Sequence, residues 1–362
     1  MKARLNPELF RLAREFRGLS QKELGDKAGI SQNKITRLES GLYFDMPDEE
    51  ISRLARFLTF ADSFFFQDEE VMGYGSSAYF YRKKAKITAA DSKRIHALVN
   101  IIRINLKKLL LNVDIKPKRG LPKLALDEYS DSPAKVANAL RACWRLPEGP
   151  ILNLTGIMES AGIMVIPCDF GTSAMDATSL WVSGMPPLVF INQSIPGDRW
   201  RFTLAHELGH LVMHDGAPYE SIEDEADAFA SEFLVPEIEV KSQFRKALKF
   251  NLAYFASLKE YWKVSIGMLV RKALDLGYIT AEQRKYFYTS KDGIRMNYEP
   301  CPLPKEEPEN HRKLMGYYAE QMGFSSEDIM NICHFSSKDD LKIHPMPSQV
   351  INQPLPRLRL VK

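Results

Sequence analysis

The sequence predicts a mainly helical α+β fold, with a small sheet in the middle of an otherwise helical chain. Apolar residues recur at helical spacing over most of the 362 residues. Short apolar runs bounded by turn residues lie between residues 163 and 192, and these favour strands. The length favours two or three domains. We place the domain boundaries so that the chain divides into four segments: 1–66, 67–130, 131–245 and 246–362. The last of these segments is predicted to be helical.

The composition is typical of a soluble globular protein, with 45% hydrophobic and 26% charged residues. We expect no membrane span, because there is no run of about 18 apolar residues. The charged N-terminus lacks the apolar core of a secretion signal. The four cysteines are scattered and form no CxxC pair, which favours the reducing cytoplasm over a disulfide framework.

Charge is unevenly distributed along the chain, although the net charge is only +3. Residues 1–43 contain nine Lys or Arg and five Asp or Glu, and residues 82–120 contain twelve and two. Residues 217–240 contain eight acidic residues and no Lys or Arg. This asymmetry suggests different partners for different parts of the chain, although solvated helix faces would explain much of it.

Residues 6–60 have the pattern of four or five short helices. Ser20 is a predicted N-cap, with Glu23 at the capping-box position of the second helix. Gly29 ends that helix, and a third helix is predicted from Gln32 to Ser40. Two short helices joined by a tight glycine turn form a helix-turn-helix unit.

The stretch from Ser20 to Gly41 closely resembles the phage-repressor-like (Cro/C1, or XRE) helix-turn-helix family. The resemblance implies a transcription regulator that binds a double-stranded DNA operator. We expect a homodimer, because one recognition helix reads only a short half-site. The resemblance places Gln32, Asn33, Lys34 and Arg37 in the major groove and Gln21 and Lys22 at the DNA backbone. The alternative is a small helical bundle that binds protein.

Residues 88–112 predict a long amphipathic helix flanked by Lys and Arg. Two interpretations stay open. The helix is either a connector that takes part in a dimer interface, or it also contacts DNA phosphates through its basic face. We favour the connector, because a charged helix face is ordinarily solvated.

Three short apolar stretches predict a small antiparallel sheet: 163–167, 179–183 and 188–192. The third leads through residues 195–203 into the most informative motif of the chain, His206-Glu-x-x-His210. On a helix, residues four apart share a face, so both imidazoles can occupy corners of a zinc tetrahedron. Glu207 can then reach a water on the metal as a general base. The alternative is a helix with two exposed histidines.

A catalytic zinc ordinarily has three protein ligands, and residues 222–236 predict a helix that can supply the third. Glu223 and Asp227 are four apart on one face, so Glu223 can bind the metal while Asp227 accepts a hydrogen bond from a liganding imidazole. Glu225 is the rival ligand, but it points about 200° away from Glu223 around the helix. We expect His214 to pack or to support the ligands, because a helix cannot present three successive turns to one ion.

Residues 201–214 and 223–236 look like the ImmA/IrrE family of zinc metallopeptidases, and the resemblance extends upstream to about residue 150. It implies a gluzincin-like α+β domain with His206, His210 and Glu223 on Zn²⁺ and Glu207 as the base. The implied substrate is a repressor or antitoxin partner, or the protein itself. The alternative is a non-proteolytic repressor or antitoxin whose zinc domain is sensory or structural. Tyr219 and Arg201 are open candidates for the oxyanion-stabilising side chain.

The C-terminal part alternates between helical and proline-rich segments. Residues 241–290 and 310–334 predict helices. Residues 299–309 predict an extended, proline-rich linker, and residues 345–362 an extended or disordered tail.

Overall fold

The computed structural model describes residues 4–43, 45–73, 87–111, 113, 116–214, 219–246, 252–289 and 299–344. The predicted tail, 345–362, and residues 82–86 of the Lys- and Arg-rich stretch 82–120 lie outside these residues. Contacts divide the chain into two compact units. Unit 1 comprises residues 1–116, 168–175 and 309–362, and unit 2 comprises residues 117–167 and 176–308. The four sequence segments remain a proposal about domain boundaries.

The predicted class, a mainly helical α+β protein, is confirmed. The first helices are α1 (Pro7–Phe16), α2 (Gln21–Ala28), α3 (Gln32–Glu39), α4 (Asp48–Leu58) and α5 (Ala89–Leu109). The central elements are α6 (Pro133–Cys143), α7 (Leu154–Ser160), β1 (Met164–Cys168), β2 (Ala177–Leu180), β3 (Leu188–Asn192), α8 (Gly197–Met213) and α9 (Ile222–Leu234). The last are α10 (Glu237–Lys246), α11 (Leu252–Trp262), α12 (Ile266–Asp275), α13 (Ala281–Thr289), α14 (Asn310–Gly316) and α15 (Ser326–Cys333). Among the described residues, no helix combines the length and apolarity needed to cross a bilayer.

In unit 1, local signals fix helices α1 to α3. Both bonds of the capping box are present: Ser20 Oγ accepts from Glu23 N at 3.1 Å, and Glu23 accepts from Ser20 N at 2.7 Å. Gly29 adopts φ +65° and ends α2, a conformation that favours glycine. Arg14 on α1 pairs with Glu39 on α3 at 2.6 Å. The helix-turn-helix unit is therefore fixed both by its turn and by a half-buried ion pair.

Helix α5 is a central helix of unit 1, with thirteen of its 21 residues buried. Its cations have partners inside the unit. Arg103 donates to the carbonyl oxygen of Glu70 at 2.5 Å, and Lys107 pairs with Glu69 at 2.9 Å. Lys108 is half-buried, which lowers its pKa to about 8, and its ammonium donates to the carbonyl oxygen of Ile332 at 3.4 Å. The helix is thus more than a solvated connector, and these three cations are used to hold unit 1 together.

Unit 2 contains a three-stranded sheet in the order β1-β3-β2. Strands β2 and β3 are antiparallel, with Ala177 opposite Ile191 and Leu180 opposite Leu188. The central strand β3 is buried along its whole length. β2 begins and ends earlier than the predicted 179–183. Its early end is explained by the turn at Val182, whose carbonyl accepts from Met185 N at 3.1 Å.

Helices α8 and α9 pack closely against each other beside this sheet, and one glycine permits the close approach. A Cβ on Gly209 of α8 would lie 3.0 Å from the ring of Phe229 and 3.4 Å from the Cα of Ala226, both on α9. Both helices bury one apolar side in the core of unit 2. The two helices that carry the candidate metal ligands are therefore held in fixed register.

The proline-rich segment 299–308 is extended, as its composition predicts, but it is docked on unit 2. Glu299 accepts from the backbone N–H groups of Ile266 and Gly267, each at 2.8 Å, where α12 begins. Glu306 accepts from Leu154 N at 3.0 Å and Thr155 N at 2.7 Å, where α7 begins. Carboxylates at helix N-termini interact favourably with the helix dipole. The prediction of a linker is corrected: the segment is a part of the fold of unit 2.

Candidate metal centre and DNA-binding surface

Helices α8 and α9 bring three candidate ligands together. The Nε2 atoms of His206 and His210 lie 3.0 Å apart. Glu223 Oε2 lies 3.6 Å from His206 Nε2, and Glu223 Oε1 lies 3.3 Å from His210 Nε2. Among the described residues, these three form a group whose ligand atoms all lie within 4.8 Å of one another. The two histidines share a face of α8 because they are four residues apart.

This donor set fits a metal ion. Tetrahedral zinc with bonds of about 2.0–2.2 Å keeps its ligand atoms roughly 3.3–3.5 Å apart, and the three separations observed here span 3.0 to 3.6 Å. Glu223 Oε1 is also buried without a hydrogen-bond partner among the described residues. A buried oxygen of this kind is costly unless a cation or a donor satisfies it. A divalent cation between the three side chains would satisfy it.

The electrostatics of the cluster favour charged forms in spite of burial. Burial alone would lower the pKa of His206, but its hydrogen bond to Asp227 and the neighbouring carboxylate of Glu223 outweigh this and raise the pKa to about 10. Burial would raise the pKa of Glu223, but the two imidazoles lower it to about 2. A ligating imidazole is neutral, so metal binding at this cluster releases any proton held on the two Nε2 atoms.

Asp227 supports the first histidine. His206 Nδ1 lies 2.8 Å from Asp227 Oδ1. A carboxylate at this distance holds the ring with Nδ1 protonated and Nε2 free to bind the metal. Asp227 is four residues from Glu223 on α9, so one helix face offers both carboxylates.

The second histidine is supported by a longer chain of contacts. His210 Nδ1 lies 2.9 Å from His214 Nδ1, and His214 Nε2 lies 3.1 Å from Glu225 Oε2. Glu225 also accepts from Tyr219 Oη at 2.6 Å and from Ser221 Oγ at 2.7 Å. Burial first, and then the neighbouring His210, lower the pKa of His214 to about 4, so this ring is neutral. The sequence placed His214 near the ligands but missed Glu225 as its partner.

The remaining catalytic candidates lie as follows. Glu207 is 2% exposed on α8, and its negative charge is close enough to raise the pKa of His206. Both oxyanion candidates are engaged by other carboxylates. Tyr219 donates to Glu225, as above, and the buried guanidinium of Arg201 pairs with Glu306. Burial lowers the pKa of Arg201 to about 10.

Four of the six predicted DNA-contacting side chains are exposed: Lys22, Gln32, Asn33 and Arg37. Gln32 and Asn33 form the first turn of α3, where a recognition helix presents side chains to base edges. Amide side chains can bond adenine through two hydrogen bonds. This exposed turn therefore offers two amide side chains of the kind that can bond base edges.

The other two DNA candidates have intramolecular partners. The Lys34 ammonium lies 2.5 Å from a carboxylate oxygen of Glu50 on α4, and this bond is the main reason that its pKa is raised. Gln21 donates to Glu39 at 2.9 Å and accepts from Thr36 Oγ1 at 2.9 Å. Both residues therefore brace the helix-turn-helix unit, a role that sequence reasoning did not assign to them.

Comparison with known families bears on both parts of the chain. Residues 8–63 match the family model described as a helix-turn-helix domain. Residues 158–274 match the model described as an IrrE N-terminal-like domain, a metallopeptidase family. A search of curated proteins finds no match. The predicted fusion of a helix-turn-helix region with an ImmA/IrrE-type domain is confirmed.

Proposed function

We propose that this chain, which joins a helix-turn-helix domain to an IrrE N-terminal-like domain, is a DNA-binding transcription regulator with a zinc-dependent endopeptidase site. The observation that supports this proposal most directly is the convergence of His206, His210 and Glu223 beside Glu207. The substrate is a repressor or antitoxin-type protein, or this protein itself.

Zinc is the metal that this donor set favours. Two imidazoles and one carboxylate, without a thiolate, are typical of catalytic zinc sites that leave a fourth position open. When bound, zinc would polarise the scissile carbonyl and make a water molecule more acidic. Ligands and base are supplied by α8 and α9 alone, so the site needs no other domain for its assembly.

The protein side chains divide the remaining work. Glu207 accepts the proton of the attacking water and delivers it to the leaving amine. Asp227 holds His206 in the tautomer that leaves Nε2 free, and His214 does the same for His210. Helix α8, buried on most sides, holds the base and both histidines in a fixed arrangement.

Glu207→Gln tests the endopeptidase proposal, with His206→Ala as its comparison. We expect Glu207→Gln to retain zinc and DNA binding but to lose cleavage of a co-expressed repressor or antitoxin, because an amide cannot accept the proton. His206→Ala should lose zinc as well, measured as metal content of the purified chain. Unchanged cleavage by Glu207→Gln would show that Glu207 is not the base.

DNA binding is proposed to occur as a homodimer through the exposed turn of α3. Gln32→Ala combined with Asn33→Ala should abolish the specific footprint on an operator while retaining the fold. The control is Asp26→Ala with Lys27→Ala, two exposed residues at the far end of α2. A dimer predicts two protected half-sites about 10 base pairs apart, or a multiple of this. An unchanged footprint would contradict the assignment of α3.

A second candidate function is a regulator in which the metal site is sensory or structural. It is favoured by two contacts of the oxyanion candidates: Tyr219 bonds Glu225, and Arg201 pairs with Glu306. Neither side chain is therefore free to stabilise an oxyanion. In that case zinc should change the affinity for DNA although no protein is cleaved. The Glu207→Gln variant distinguishes the two functions, because it would then behave as the wild type in every assay.

A further inference from the structure

Unit 2 contains a cleft of about 1110 Å³ beside the candidate metal centre. Its walls come mainly from helices α8, α9, α10 and α12 and from residues 299–303 of the docked proline-rich segment. This volume exceeds the roughly 300–1,000 Å³ of pockets that hold small molecules. An extended polypeptide, which advances about 3.3 Å per residue, is an occupant of suitable size and shape.

The cleft is continuous with the metal centre along two helices. Asp198 and Phe202 line it from α8, and His206 follows at the same four-residue spacing on the same face. On α9, Asp227 lines the cleft and also lies 2.8 Å from His206. A chain lying in the cleft would therefore extend toward the side chains that carry the chemistry.

The lining of the cleft is acidic. Its cations are three, and each is paired: Arg199 with Asp176 at 2.5 Å, Arg271 with Asp275 at 2.9 Å and Lys272 with Glu232 at 2.5 Å. Its carboxylates are seven: Asp198, Asp224, Asp227, Glu232, Glu237, Asp275 and Glu299. Seven carboxylates against three cations leave the lining with an excess of four negative charges.

Two of the carboxylates are available for a ligand. Asp224 on α9 and Glu237 on α10 are both exposed, and neither side chain has an ion-pair partner among the described residues. By contrast, Asp198 and Glu299 are engaged by the fully buried Lys259, at 2.7 and 3.0 Å. The cleft thus contains two carboxylates that are paired with Lys259 and two exposed carboxylates, Asp224 and Glu237, that can bind a cationic ligand.

We propose that this cleft binds a Lys- or Arg-rich, extended segment of the protein substrate. The inference rests on the proposed endopeptidase function and adds the class of substrate. Ammonium and guanidinium groups complement free carboxylates, whereas the same potential repels nucleic acid and acidic peptides. Asp224 and Glu237 are the residues that determine this preference, and neither is one of the three candidate ligands or the proposed base.

Binding is measured on the full-length, zinc-loaded Glu207→Gln chain, in which peptides are not consumed. The probes are fluorescent twelve-residue peptides that alternate Ala with Lys, Gln or Glu, followed by fluorescence anisotropy. We expect the Lys peptide to bind most tightly, and its affinity to fall as salt is raised. Asp224→Asn with Glu237→Gln should weaken the Lys peptide by about fivefold, the effect of removing two exposed charge pairs.

A matched control removes two other carboxylates of unit 2. Glu128→Gln with Glu148→Gln causes the same change in net charge at exposed positions outside the cleft, and it should leave binding unchanged. Equal affinity for the three peptides, or equal losses in both double variants, would overturn the inference.

Cleavage by the unmutated chain is scored separately, which distinguishes this inference from the proposed function. If the Lys peptide is held by Asp224 and Glu237 but no peptide or partner is cut, the cleft assignment stands and the endopeptidase fails. If a partner is cut and the peptides show no charge preference, the endopeptidase stands and the cleft assignment fails.

Discussion

Glu225→Ala provides a demanding test of the metal centre, because Glu225 lies two contacts away from the candidate ligand His210. Its carboxylate accepts from Tyr219 and Ser221, and it holds His214 Nε2 at 3.1 Å. His214 in turn fixes the ring of His210 at 2.9 Å. Without Glu225, His214 loses the partner that fixes its tautomer, so it can no longer hold His210 in a single orientation.

The expected loss follows from the number of contacts removed. Loss of a group that directly supports a ligand costs roughly 10- to 100-fold in metal affinity, or about 1.4–2.8 kcal/mol. Glu225 acts through His214, so we expect the lower end, about tenfold. Glu225→Gln keeps an oxygen acceptor for His214 and should recover most of that loss. Asp227→Ala removes a direct partner of His206 and should cost more than Glu225→Ala.

Zinc affinity is measured by competition with a chromophoric chelator at fixed pH, on full-length variants. The thermal unfolding midpoint of each metal-free variant shows whether the fold is retained. If folded Glu225→Ala binds zinc as tightly as the wild type, the contacts through His214 do not position His210. The same conclusion would follow if Glu225→Gln lost as much affinity as Glu225→Ala.

Two further predictions concern the packing and the pH dependence of the fold. Gly209→Ala should lower the free energy of unfolding by about 1–3 kcal/mol in denaturant and weaken zinc binding, because its Cβ would lie 3.0 Å from the ring of Phe229 on α9. An unchanged free energy of unfolding and an unchanged zinc affinity would show that α9 can move freely. His311 and His344 are buried side by side, and burial lowers the pKa of His311 to about 4 and that of His344 in the same direction. Each imidazole is therefore neutral in the folded chain. In the unfolded chain it gains a proton below its ordinary pKa near 6.5, so the free energy of unfolding decreases as pH falls from about 6.5 toward about 4. For His311 alone, this loss is about 2 kcal/mol between pH 7 and 5. Protection factors of the α14 amides, which correct hydrogen exchange for the pH dependence of its intrinsic rate, should fall over that range, and unchanged protection factors would contradict the prediction.

The helix-turn-helix unit could be predicted closely because its signals are local. Ser20, Glu23 and Gly29 determine where α2 begins and ends through bonds within a few residues. His206 and His210 are likewise placed by helical spacing alone. Glu223 needed one more step, since it is thirteen residues away from His210 in sequence, and only the pairing of two amphipathic helices brings it close.

The features that the sequence did not predict all depend on distant contacts. The basic side chains of α5 have the pattern of a solvated face, but Glu69 and Glu70, more than thirty residues earlier, accept from Lys107 and Arg103. Charge spacing along one helix cannot show such a partner. Glu225 was considered only as a rival ligand, because its orientation toward His214 depends on the path of the chain between α8 and α9.

The proline-rich segment shows how the fold restrains the helix that carries the ligands. Prolines lower the conformational entropy that an extended segment loses on docking, and two carboxylates then anchor it at helix N-termini. Glu306 also pairs with Arg201, which lies five residues before His206 on α8. At the other end of the helix, His214 is held by Glu225. Helix α8 is therefore restrained on both sides of its histidines, which limits the sliding or rotation that would separate them from Glu223. A site that must hold three ligand atoms within a few tenths of an ångström requires such support, and here it comes from residues that no local motif identifies.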